Sequence, residues 1–462
     1  MAKTLRLVIA SFVDDNFGDN LIRISFQGLL EVALANHGLT PDDYEVVPMP
    51  LKNVDEQLLE SADAILFAGG GLFGLSYLNF YTYLEQITAI ADSRGIPVLF
   101  SSMGMNNMDA ADDSFDAIAE ILRKSCVKAV AVRENLPLFQ GLVRGLPFEV
   151  PQVADPAVWT KYLYGMTDVT PNGTLGVNVV RGGLFAANKR NWGLTAEMKY
   201  LAELVELAVA EGMSAQFYTN GSLGDNNTLR FFAREYDVPA DRVTFPQTTR
   251  EVVDAIASRS AVASIRMHSS IIAYSFGIPT VALEWNDKLP HFYSAIGHPE
   301  RVIPFGEWSG ERSFEVLRKA GVAPEVDPAY RDYLMSTYAY IHGAVGEHVL
   351  GDRRSSSQAY DFAGVADALV ARAHLIDEDE NDLRFKVGKA ERAYFGTFVA
   401  GRESEKTVRE LTDQRAALTK QVAALEAQVL NLKRELEFSF CARIFRSARR
   451  RGGRLLRRLK LR

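Results

Sequence analysis

The 462-residue chain exceeds what one hydrophobic core usually organises, and its 47% hydrophobic and 24% charged residues are those of a globular body, not a disordered or membrane-embedded one. The formal charge of −7 is unevenly held: Cys441 to Arg462 carries ten Lys and Arg and no acid, which leaves −17 on the remainder. A positive field confined to one end does not fit a nucleic-acid enzyme, and two cysteines, Cys126 and Cys441, cannot build a disulfide framework or a thiolate zinc site.

From the N-terminus, LRLVIASF has the composition of a strand, NLIRISFQGLLEVALANHG of a helix, and YEVVPMP and ADAILFAG of two more strands. NFYTYLEQITAIADSRG then predicts a helix, PVLFSSMG a strand, DSFDAIAEILRKS a helix and KAVAVRE a strand. Short apolar strands alternating with amphipathic helices point to parallel βαβ units. Cys126, at a helix-to-strand transition, is expected to be a small buried residue.

The turn-rich stretch VADPAVWTKYLYGMTDVTPNG marks a boundary near 160–173, after which TLGVNVV, SAQFYTN, RVTFP, AVASIR and PTVALEW alternate with helical segments in a second run. The expected fold is α/β, with two Rossmann-like domains facing a cleft in a GT-B-like arrangement, where ligands of such sheets bind. RSFEVLRKAGV and AYRDYLMSTYAYIHGAVGEHVL are expected to be helices that pack back on the body. DEDEND at 377–382 is a solvated acidic run.

Further on, Val408, Val422, Val429 and Leu436 share one heptad position, broken by Arg415, while Leu411, Leu418, Leu425 and Leu432 fall three residues later, the pattern of a short parallel coiled coil and a homodimer. The expected organisation is an N-terminal domain over 1–165 and a C-terminal domain with a helical return over 166–375. An acidic linker over 376–402, a coiled coil over 403–440 and a basic amphipathic tail over 441–462 follow. No apolar run is long enough to span a bilayer, and the N-terminus carries no cleavage signal, so a cytoplasmic body is expected. The tail interleaves Ile444, Phe445, Leu455, Leu456, Leu459 and Leu461 with its basic residues, which suggests peripheral attachment to the anionic inner face of the cell membrane.

Several residues at strand ends carry candidate chemistry. Asn16, Gly18 and Asp19 lie between the first strand and first helix, where a carboxylate either accepts a proton from a sugar hydroxyl or simply caps the helix. Gly69, Gly71 and Gly74 satisfy a dinucleotide pattern literally, but Asp92 precedes the next strand instead of ending it, so a structural or substrate-lining role for the glycines, Gly70 included, is favoured.

Arg266 and His268 follow the strand AVAS and open a helix, placing an anion-pairing guanidinium and a proton-shuttling imidazole beside a partially positive helix end. Arg133 ends KAVAV in the first domain and Lys288 follows PTVALEW in the second, so Arg133, Arg266 and Lys288 together suit a small polyanion. No HExxH motif or GxxxxGK[ST] loop is present, and Asp377-x-Asp379 falls in the acidic run, so no metal site is expected.

With NFGDNLI, ADAILFAGGGLF, VRENLPLFQGL, VADPA and SIRMHSSIIAYSFGIPTVALEWNDKLPHF in this order, residues 5–300 resemble the polysaccharide pyruvyl transferases. Asn286 and Asn20 depart from the acidic residues common there. The resemblance implies phosphoenolpyruvate as co-substrate, no cofactor, and a glycan or lipid-linked sugar as acceptor. It makes His268 the acid/base and Arg133, from the first-domain wall, with Arg266 and Lys288, from the second, the donor-binding residues. Asp19, with Asn16, Gly18, Gly70 and Gly71, faces the acceptor on the first-domain side. A nucleotide-sugar-dependent GT-B glycosyltransferase and a non-catalytic membrane-recruiting scaffold are the alternatives.

Overall fold

The computed structural model describes residues 4–13, 16–74, 80–105, 114–143, 145–181, 185, 190, 192–321, 327–351 and 358–375. The acidic run with Asp377 and Asp379, the heptads and the basic tail with Cys441 lie outside the described residues.

Strands β1 (Leu5–Ser11), β2 (Tyr44–Pro50), β3 (Ala64–Phe67), β4 (Val98–Met103) and β5 (Val127–Val132) form a parallel sheet in the order 2-1-3-4-5. Helices α1 (Phe17–Asn36), α2 (Glu56–Glu60), α3 (Phe80–Arg94), α4 (Ser114–Leu122) and α5 (Leu136–Leu142) accompany it, and α6 (Thr160–Leu163) lies in the connection to the second domain. There β6 (Thr174–Asn178), β7 (Ser214–Tyr218), β8 (Val243–Thr244), β9 (Ala261–Ser264), β10 (Thr280–Leu283) and β11 (Val302–Ile303) pair in parallel as 11-10-9-6-7-8. Helices α7 (Leu194–Ala210), α8 (Leu223–Glu235), α9 (Thr249–Ala257), α10 (Met267–Ser275), α11 (Lys288–Ala295) and α12 (Gly310–Lys319) accompany this sheet.

The second sheet therefore has the Rossmann order, whereas the first has the flavodoxin-like order, because its chain reverses across the sheet after β2 instead of after a third strand. This corrects the expectation of two Rossmann-like halves while leaving the α/β class intact. Every residue of β3, β4, β9 and β10 is buried, as helices on both faces require, and this is why these segments contain uninterrupted apolar runs.

One face of the first sheet packs Val8, Ile65, Phe67 and Phe100 against Leu84, Ile87 and Leu122 of α3 and α4. The other face, with Leu7, Ile9, Leu66 and Leu99, meets α1 and runs without a break into the core of the second domain. Cys126 is buried and its thiol is pushed up to about 11, chiefly by burial. Asp92 accepts from Ser125 Oγ and Cys126 N, a structural role at the start of β5.

After α12 the chain does not remain with the second domain. Helix α13 (Pro328–Val345) packs on α1, β4 and β5, and α14 (Phe362–Arg372) packs on α1 and α6. Tyr340 Oη donates to Phe100 O at 2.7 Å and Tyr338 Oη to Asn36 Oδ1 at 2.9 Å. The helical return expected within 166–375 thus packs on the first domain, because the apolar face of α13 is complementary to the first sheet. The connection near Asp155 is held from both sides: Ser336 Oγ accepts from Ala154 N at 2.9 Å, and Thr337 Oγ1 and Ser102 Oγ donate to Ala154 O at 2.6 and 2.8 Å.

Candidate active site

In open parallel sheets the crevice lies beyond the carboxyl ends of the strands, where strand order reverses. In the first sheet that point falls between β1 and β3, followed by Asn16–Asp19 and Gly69–Gly71; in the second it falls between β6 and β9, followed by Arg266 and His268. Arg133 follows β5, and Lys288 begins α11 after β10.

The N-terminus of α1 rests on the start of α10. Phe17 N donates to Asn220 O of the second domain at 2.9 Å, and a Cβ placed on Gly18 would stand 2.3 Å from His268 Nδ1. Only a residue without a side chain allows this approach. Asn16 Oδ1 accepts from Gly18 N at 3.3 Å as the helix cap, and its Nδ2 donates to Asp19 Oδ2 at 2.9 Å. Asn16 therefore serves as the cap and also orients the Asp19 carboxylate.

Arg133 is 5% exposed, and its guanidinium donates to Glu134 Oε2 at 2.7 Å and to Asp155 Oδ2 at 2.5 Å. Burial opposes its charge, but these two carboxylates outweigh that and hold it protonated. The same Asp155 oxygen lies 3.5 Å from His268 Nε2. Burial resists ionisation of Asp155 as well, yet Arg133 and His268 hold its carboxyl well below the usual carboxylate range. Arg133 is thus placed to orient its neighbours, which corrects the expectation that it meets an anion directly: its charge is already matched within the protein. Gly104 makes room for it, since a Cβ there would come within 2.8 Å of the guanidinium.

Lys288 is half-buried, and burial followed by repulsion from Arg133 pulls its ammonium down to about 8, against the attraction of Glu134, Asp19 and Asp287. Asn286 Oδ1 accepts from Lys288 N at 3.2 Å, so this departure from the acidic pattern supports the start of α11. Across the cleft Asn135 Nδ2 donates to Asp287 Oδ2 at 3.4 Å. Asn135 has φ 54°, and Ser102 at the end of β4 has φ 53°. Both are backbone outliers at the cleft.

Arg266 is engaged elsewhere. Its Nε and Nη2 donate to Asp225 Oδ2 at 3.0 and 2.6 Å, and Asp225 is fully buried. Beneath this pair lies Glu197, 1% exposed and pushed up to about 8 by burial and by Asp225. Gly69 and Gly70 adopt φ of 117° and 96°, and Gly104 N donates to Gly70 O at 2.7 Å, tying the glycine turn to the segment under Arg133. Gly71 is half-buried in the same turn.

The structure therefore brings Asp19, Gly18, Arg133, His268 and Lys288 together and sets Arg266 on a separate ion pair. Sequence reasoning did not assign Glu134, Asp155, Asn135, Asp225 or Glu197. The signal available for two of them was position: Glu134 adjoins Arg133, and Asp155 precedes a proline in the VADPA segment ahead of α6. Among the described residues no group of three or more His, Cys, Asp or Glu is arranged to hold a metal ion, and no helix is long and apolar enough to cross a membrane.

The sequence model of a family described as polysaccharide pyruvyl transferase matches residues 16–287, a span that contains the candidate residues named above except Lys288, which directly follows it. No curated protein matches the chain in sequence. Similar solved structures include a UDP-GlcNAc 2-epimerase from Neisseria meningitidis bound to UDP-GlcNAc, at 10% identity and TM-score 0.46, covering 76% of this chain and 100% of that one. Another is ADP-heptose lps heptosyltransferase II of E. coli, at 16% identity and TM-score 0.35, covering 69% and 98%.

Proposed function

The chain belongs to the polysaccharide pyruvyl transferase family, and from that premise we propose that it moves pyruvate from phosphoenolpyruvate onto a sugar of a cell-surface polysaccharide or its lipid-linked precursor. The observation that carries the reading is the convergence of His268, Asp155 and Asp19 with the Lys288 ammonium where the two sheets' switch points face each other.

The reaction adds one sugar hydroxyl to C2 of the donor as C3 gains a proton, giving a methyl group. A second hydroxyl then displaces phosphate and closes the ketal. His268 delivers the proton to C3, and Asp19, oriented by Asn16, accepts one from the attacking hydroxyl. Lys288, with the amino end of α10, meets the donor's carboxylate and phosphate, while Arg266 stays with Asp225 behind that helix end. Gly70 and Gly71 line the acceptor side. Arg133 takes no direct part in this scheme, since its charge is matched by Glu134 and Asp155.

The test is incubation of the purified chain with phosphoenolpyruvate and a lipid-linked glycan extract, following phosphate release and the mass gain of a ketal-linked pyruvate. His268→Ala is expected to abolish both signals. Consumption of a nucleotide sugar in place of phosphoenolpyruvate would replace this reading with glycosyl transfer, and no turnover with either donor would leave the scaffold.

A further inference from the structure

We propose that Asp155 is the positioning residue for His268: it fixes the ring with Nε2 protonated and leaves Nδ1 as the atom that moves the proton. The inference rests on the proposed role of His268. Three observations support it.

Asp155 belongs to neither sheet. It sits on the connection between the domains, where Pro156 follows and its Oδ1 accepts from Ala157 N at 2.9 Å to start a short turn. Its backbone neighbour Ala154 is tied to Ser102 of β4 and to Ser336 and Thr337 of α13. A carboxylate held from both sides in this way suits a group that must orient another.

Asp155 Oδ2 faces nitrogens of two side chains. Arg133 Nη1 lies 2.5 Å from it and His268 Nε2 3.5 Å, so the arginine keeps the oxygen charged while the histidine faces it. A carboxylate oxygen repels the lone pair of a bare Nε2 and attracts an Nε2–H, so a buried Nε2 with no nearer partner than this oxygen favours the protonated form there. The opposite ring nitrogen, Nδ1, overlies Gly18 at the amino end of α1, on the side of Asp19 and the acceptor loop. A ring that faced Asp155 with Nδ1 would turn its reactive nitrogen away from that loop.

Asp155 and His268 also come from different parts of the fold, the connection and α10. Their approach depends on the second domain being seated on α1, where Phe17 N donates to Asn220 O at 2.9 Å.

The experiment is nitrogen-15 NMR of histidine-labelled full-length protein, with the His268 signals assigned by comparison with His268→Gln. In the native chain the neutral ring is expected in the Nε2–H tautomer. Asp155→Asn is expected to shift it toward the Nδ1–H tautomer and to lower kcat about 10²- to 10⁴-fold with the Michaelis constant for phosphoenolpyruvate little changed. A neutral His268 protonated on Nδ1 in the native protein would overturn the proposal. So would an Asp155→Asn variant that keeps native kcat, or one that raises the Michaelis constant alone. If Asp155→Asn does not fold, the native tautomer still decides. Because that readout needs no turnover, its failure is separate from any failure of the pyruvyl-transfer reading.

Discussion

Replacing Gly18 by alanine is a one-carbon test of the interdomain contact. The added Cβ would stand 2.3 Å from His268 Nδ1, 2.7 Å from Cγ and 2.9 Å from Cβ, whereas ordinary contacts begin near 3.4 Å. The ring, or the whole start of α10, must retreat by about 1 Å. Backbone strain does not enter, because Gly18 is in the first turn of α1 and is absent from the residues with positive φ. Alanine even favours the helix by up to ~1 kcal/mol.

Overpacking of a close contact costs about 1–3 kcal/mol, enough to cancel that gain and lower the melting temperature by a few degrees. Catalysis should suffer more, since a misplacement of about 1 Å at a reacting group costs roughly 10²-fold. Steady-state phosphate release with phosphoenolpyruvate and glycan acceptor, alongside a thermal melt, reads both quantities. A Gly18→Ala variant with native kcat would refute the claim that this contact sets the position of His268.

With its ammonium at about 8, Lys288 is charged below that pH and neutral above it, so the Michaelis constant for phosphoenolpyruvate should rise as pH passes upward through 8. Lys288→Arg should remove that rise, which kinetics across pH 7 to 9.5 would reveal. Glu197 is held at about 8 against an ordinary 4.5, so the folded state keeps a proton that the unfolded chain loses. Stability is therefore lost as pH rises from 4.5 through 8, by about 3 kcal/mol at neutrality; Glu197→Gln should flatten this slope in melts taken from pH 5 to 8.5. Arg266→Ala strands the fully buried Asp225 and should cost about 3–5 kcal/mol of stability, measured by urea unfolding, with Asp225→Asn in the same chain restoring much of it. Truncation after Phe440 removes ten basic residues and should abolish flotation with anionic vesicles at low salt; equal flotation of both chains would reject the membrane role.

The sequence by itself determined the α/β alternation, because strand and helix periodicities are local: the runs at AILF, VLFSSM and AVAS are β3, β4 and β9. It also placed Asp19, Arg133, Arg266, His268 and Lys288 at the carboxyl ends of strands, since a residue just past an apolar run in a parallel sheet has nowhere else to go. Whether such residues meet is not a local property. Strand order decides it, and the order 2-1-3-4-5 of the first sheet follows from the direction of each crossover, which no periodicity encodes.

Only the tertiary structure returned α13 to the first sheet, because the match between two apolar faces is visible only once both exist. Only there does Arg133 find Asp155, 22 residues away, and Arg266 find Asp225, 41 residues away. A charge seeks whichever opposite charge burial brings within reach. Spacing along the chain thus located the cations at the cleft, and three-dimensional pairing decided that Arg133 is matched from within while Lys288 sits half-buried in the cleft with a lowered affinity for its proton.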